Sequence, residues 1–136
     1  MLELENLEAA AAELEANGDL DFIDSSRLSA VVNRLQGVLS RVVHRATARG
    51  DQLLSGQSSC SWVASNCQMS KTAAADRLCV GKQLEQLPRI AQALSAGEIG
   101  YQAASALSAL SGHWRPIRTH SSSSTRQPTS AIRSWR

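Results

Sequence analysis

The sequence predicts an all-α protein: an irregular bundle of five to six helices with a disordered basic C-terminal tail. Three observations predict it. Hydrophobic residues make up 43% of the chain but aromatics only 4%, so a core must be built from Ala, Leu and Val. Ala and Leu are strong helix formers, whereas strands favour β-branched and aromatic side chains. Apolar residues also recur at three- and four-residue intervals as far as Leu110. Ser, Asn, Gly and Pro fall where those runs begin and end.

Taken in order, residues 2–16 read as a helix with Leu4, Leu7, Ala11 and Leu14 on one stripe, stopped by Asn17-Gly18. Residues 26–49 form the longest periodic segment. Leu28, Val31, Val32, Leu35, Val38, Leu39, Val42, Val43 and Ala46 share one side, the expected core face. Asp24 or Ser25 can cap its start, and Gly50 can end it. Gly37, mid-helix at a cost of about 1 kcal/mol against Ala, reads as a close-packing point or a slight weakness. Residues 51–58 are a connection, and a short helix follows with Trp62 as its expected core anchor. Ser70 caps a helix over 71–86, where Ala74, Leu78 and Gly81 make a small-residue face that admits another helix closely. Pro88 breaks that helix and opens the next, to Ala96, which Gly97 closes. The last helix, Tyr101 to Leu110, is expected to pack through Ala103, Leu107 and Leu110.

From Gly112 the periodicity stops. Residues 112–136 hold five Arg, six Ser, three Thr and no acid, a disordered composition. Three regions result: an acidic N-terminal helix and linker (1–24), a helical core (25–111) and the tail (112–136).

The net charge of +2 hides a segregation. Residues 1–24 carry eight acids and no Lys or Arg; the remainder carries fourteen basic residues against four acids. Such blocks are expected to dock on one another, and the basic part permits nucleic-acid contact. Cys60, Cys67 and Cys79 match no disulfide framework or zinc spacing and read as reduced, partly buried thiols. The acidic N-terminus lacks the basic region of a signal peptide, and no apolar run approaches the ~20 residues of a membrane span. A cytoplasmic protein without membrane contact is the expectation.

One spaced pattern goes beyond composition. It runs Arg49-Gly50-Asp51, Gly56, Ser59, Trp62-Val63-Ala64, Ser70 with Ala74, Leu87-Pro88, then Ala93-Leu94-Ser95-Ala96-Gly97-Glu98-Ile99. This resembles the family known as domain of unknown function 222, over about residues 25–111, with the first helix a looser match. Val63 stands where the family has Leu, and Gly100 where it usually has Ser. The resemblance implies a bacterial, mostly actinobacterial, module that commonly precedes an HNH-type endonuclease domain. Because the pattern lapses near His113, we expect a truncated or frame-shifted product without the nuclease. Shortening would leave Leu107 and Leu110 partly exposed.

An HNH site needs a general-base His, a metal-binding His and an Asn. His44 reads as a solvated residue on the polar side of its helix; His113 and His120 have no Asn near them. No catalytic, cofactor-binding or metal-ligating residue is assigned, and Glu98 reads as a charge near a helix start. The candidate site is instead a row of arginines. Arg27, Arg34, Arg41, Arg45 and Arg49 cluster along one flank of the long helix, three of them at seven-residue steps, with Arg77 and Lys82 able to extend the row. Two readings stand: ion pairing with the acidic first helix, which is the commoner arrangement, or non-specific contact with DNA phosphates through Arg34, Arg41, Arg45, Arg49, Arg77 and Lys82. The alternative function is a protein-binding or self-association module without nucleic acid. No cofactor is implied.

Overall fold

The computed structural model describes residues 1–113. The expected disordered tail therefore lies outside the described residues, apart from its first two positions, Gly112 and His113. The described chain forms six helices: α1 (Leu2–Asn17), α2 (Ser25–Arg49), α3 (Ser59–Asn66), α4 (Lys71–Gln86), α5 (Pro88–Ala96) and α6 (Tyr101–His113). Short 3-10 turns at Leu20–Phe22 and Asp51–Ser55 bracket α2, and the described residues contain no strand.

The helix ends follow local chemistry. Asp24 accepts the backbone N–H of Ser26 and of Arg27 at 2.9 and 3.2 Å and starts α2. Ser58 and Ser70 cap α3 and α4 through Ser61 and Ala73. Gly50 and Gly97 close α2 and α5 in the left-handed conformation, at φ 90° and 77°. Gly100 has no side chain to cap α6. The carboxamide of Asn33, from α2, accepts the Tyr101 N–H at 3.0 Å instead.

Helix α4 is the hub on which α2, α3, α5 and α6 all pack. Small residues permit this. A Cβ placed on Gly81 would lie 2.1 Å from the Ser40 carbonyl oxygen, so α4 and α2 meet backbone to backbone. Gly37 is likewise a close-packing point, with Leu94 Cδ2 2.7 Å from where its Cβ would stand. One core cluster joins Val80, Leu84, Leu94, Tyr101 and Ala104; the other joins Val43, Val63 and Ala74.

Four expectations are corrected here. The buried side of α2 runs through Gly37, Ser40, Val43 and Ala46, just over a quarter of a turn from the apolar face read from sequence. Of that face only Val43 and Ala46 are buried, with Leu39 half-buried; Leu28, Val31, Val32, Leu35, Val38 and Val42 are exposed. Close approach to α4 selects small side chains, and a small hydroxyl fits when it bonds its own helix, as Ser40 does to the Gln36 carbonyl at 2.9 Å. On α6 the small residues Ala104 and Ser108 are buried, together with the large Tyr101 at its start, rather than Ala103, Leu107 and Leu110. Val63 is the fully buried residue of α3, and Trp62 packs half-buried beside it. His44 is half-buried against α4, its Nε2 3.4 Å from a Glu85 carboxylate oxygen.

The acidic first helix does not dock on the arginine row of its own chain. Every residue from Leu2 to Ala16 is exposed, and the one ion pair α1 makes among the described residues joins Glu3 to the N-terminal amine. The three cysteines are free; Cys60 and Cys67 are half-buried and Cys79 is exposed. No described helix is long and apolar enough to cross a membrane.

Candidate functional site

Arg27, Arg34 and Arg41 are exposed along one edge of α2 and have no ion-pair partner within 4.0 Å among the described residues. Arg34 and Arg41 border a small cleft floored by Gly37, Leu84 and Leu94. Arg45 continues the edge but is engaged, its Nε donating to Glu85 at 2.9 Å. That hydrogen bond, with the charges of His44, Arg45 and Arg41 behind it and partial burial opposing, holds the Glu85 carboxyl below its ordinary range. Arg49 donates to Asp51 at 2.9 Å at the end of the helix.

The proposed extension does not assemble. Arg77 and Lys82 lie five positions apart on α4, about 140° around its axis. Lys82 is exposed. Arg77 turns to α6 instead, its guanidinium 4.1 Å from the centre of the Tyr101 ring.

Arg77 belongs to a polar cluster that sequence reasoning missed. Tyr101 is 5% exposed and donates its hydroxyl hydrogen to Asp76 Oδ2 at 2.8 Å. The Ser105 hydroxyl donates to the other carboxylate oxygen. The Ser40 hydroxyl lies 3.4 Å from the Tyr101 oxygen, so the cluster joins α2, α4 and α6. Burial pushes the Tyr101 pKa above its ordinary value; the Asp76 bond adds to this, while Ser40 and Arg77 oppose it. The phenol thus stays a donor and Asp76 an acceptor with both oxygens engaged. This arrangement ties helices together and offers a substrate no free nucleophile. The available signals were that Tyr101 is the chain's only tyrosine and that Asp76 is one of four acids after residue 24.

One atom of the cluster is poorly served: Arg77 Nη1 is buried without a hydrogen-bond partner among the described residues. Leaving such a donor unmet costs about 1–3 kcal/mol, and the ring contact returns about 0.5–2 kcal/mol. Arg77→Met keeps the apolar stem and discards both. Chemical denaturation should place this variant within about 1 kcal/mol of the parent. A loss of several kcal/mol would show that the guanidinium has a partner in solution.

Among the described residues, no three His, Cys, Asp or Glu side chains are grouped so as to hold a metal ion. The sequence profile of the family described as Domain of unknown function (DUF222) matches residues 24–128. The chain belongs to this family. The DUF222 match opens on Asp24, the cap of α2, and takes in α2 to α6, so α1 stands outside it. It also runs past the boundary at residue 111 set by the loss of periodicity. No curated protein and no solved structure matches the chain.

Proposed function

We infer that this DUF222 chain is a non-catalytic helical module that holds nucleic-acid phosphates along α2, as part of an HNH-endonuclease-associated system. The observation carrying the reading is the edge formed by Arg27, Arg34 and Arg41, three exposed guanidiniums without ion pairs among the described residues. Seven residues of α-helix rise about 10.5 Å, so the row presents evenly spaced cations to a charged backbone. Arginine suits that ligand because its planar fork makes bidentate contacts with phosphate. Arg45 and Arg49 contribute less, since each already answers a carboxylate. Nothing in the row reads base edges, so binding is expected to be non-specific, with a Kd of about 10⁻⁴ to 10⁻⁶ M at physiological salt.

Fluorescence anisotropy with duplex DNA over a salt series tests this. Log affinity should fall linearly with log salt, at about 0.9 per phosphate contacted. Arg34→Glu with Arg41→Glu should weaken binding about tenfold or more and flatten the slope by nearly two contacts. Binding unchanged in that double variant would remove the row from the function.

A further inference from the structure

We propose that this chain forms a reciprocal dimer in which α1 of each copy lies parallel along the exposed apolar seam of α2 in the other copy. The proposal does not rest on the nucleic-acid reading and competes with it for Arg34 and Arg41, which in the dimer face α1 of the other copy.

The seam is long and regular. Leu28, Val31, Leu35, Val38 and Val42 follow one another in alternating steps of three and four, and each is between 37% and 57% exposed. That spacing is the two-stranded coiled-coil repeat, which a globular domain seldom leaves facing water. Helix α1 carries the matching stripe, Leu4, Leu7, Ala11 and Leu14, in the same steps, and makes no extensive contact with any other described helix. Sixteen residues of α1 span about 24 Å, enough to cover the fifteen-residue seam.

Charge fixes the direction. Glu8 and Glu15 each follow a stripe leucine of α1, while Arg27, Arg34 and Arg41 each precede a seam residue of α2. In a parallel pair these are the flanking positions that face each other across the seam; an antiparallel pair would set the glutamates against Val32 and Leu39. A parallel pair points to a second copy. Within one chain it would place Asn17 about 24 Å along α2 from Ser25. The seven linking residues, at roughly 3.3–3.6 Å each, would need to be fully extended. They are not: Asp19 caps the Leu20–Phe22 turn in their middle. Exchange of an identical element between copies meets the geometry without that extension.

Sedimentation velocity of the full chain, without DNA, across a concentration series should show a monomer–dimer equilibrium. Leu35→Asp and Leu7→Asp, both at exposed positions, should each sediment as monomers with unchanged helical circular dichroism. Glu8→Arg with Glu15→Arg, and separately Arg34→Glu with Arg41→Glu, should each weaken the dimer about tenfold or more. Mixing those two charge variants should restore it, because both seams then regain opposite charges. A parent that stays monomeric at every concentration overturns the proposal. So does a dimer that survives removal of residues 1–17, or a mixture that remains monomeric, which would assign α1 to its own chain or to a different partner.

Discussion

Gly81→Ala is expected to destabilise the fold by about 3 kcal/mol or more, although alanine is worth about 1 kcal/mol over glycine in a helix interior. The new methyl would stand 2.1 Å from the Ser40 carbonyl oxygen and 2.7 Å from the carbonyl carbon and from His44 Cβ. Main-chain atoms cannot rotate aside, so α4 must withdraw from α2. That withdrawal loosens the helix on which four others pack, together with Val80 and Leu84 in its core cluster. Thermal unfolding should show a fall in Tm of about 10 °C or more. Two other glycines calibrate the effect. At Gly37 the obstacle is Leu94 Cδ2, the far end of a flexible side chain, so Gly37→Ala should cost less. At Gly97 nothing lies within 4 Å and the penalty is the left-handed φ of 77°, about 1 kcal/mol. Equal stability of the Gly81 and Gly97 variants would mean that the two helices are not in backbone contact.

The same close approach explains what the sequence could and could not convey. Helix positions were legible because they depend on local signals: Asp24, Ser70, Pro88, Gly50 and Gly97 each act within one turn of the chain. Which side of a helix turns inward is a tertiary outcome. On α2 the apolar stripe was the obvious candidate. The interior instead took Gly37, Ser40, Val43 and Ala46, because α4 comes near enough at Gly81 to exclude anything larger. Periodicity weighs hydrophobicity and is blind to this selection for size. The stripe it detected is real but faces outward. The site divides in the same way. Seven-residue spacing alone identified Arg27, Arg34 and Arg41. The engagement of Arg45 by Glu85, forty positions away, and of Arg77 by Tyr101 depends on contacts that no spacing rule encodes.

Asp76→Ala should be the costliest loss of a polar side chain in the bundle. It strands the Tyr101 hydroxyl, on a residue 5% exposed, and removes the acceptor of Ser105. An unmet buried donor costs about 1–3 kcal/mol, and the bonds lost are to a charged acceptor, so about 3 kcal/mol is expected. Tyr101→Phe removes one donor and leaves Asp76 its bond from Ser105, so about 1 kcal/mol should go. In the Tyr101→Phe background Asp76→Ala should cost less than alone, a coupling of about 1 kcal/mol or more in a double-mutant cycle. The pH dependence gives a second readout. The Tyr101 pKa is raised in the folded protein by burial, with the Asp76 bond adding to it. The unfolded chain therefore loses its phenolic proton first. The contribution to stability is complete below the ordinary value of 10.0 and declines as pH rises through the folded value. Tyr101→Phe should remove this part of the alkaline decline, and Asp76→Ala should shrink it. Strictly additive single losses, with the alkaline limb unchanged in both variants, would mean that the phenol and the carboxylate do not meet, and that α4 and α6 are held together by apolar packing alone.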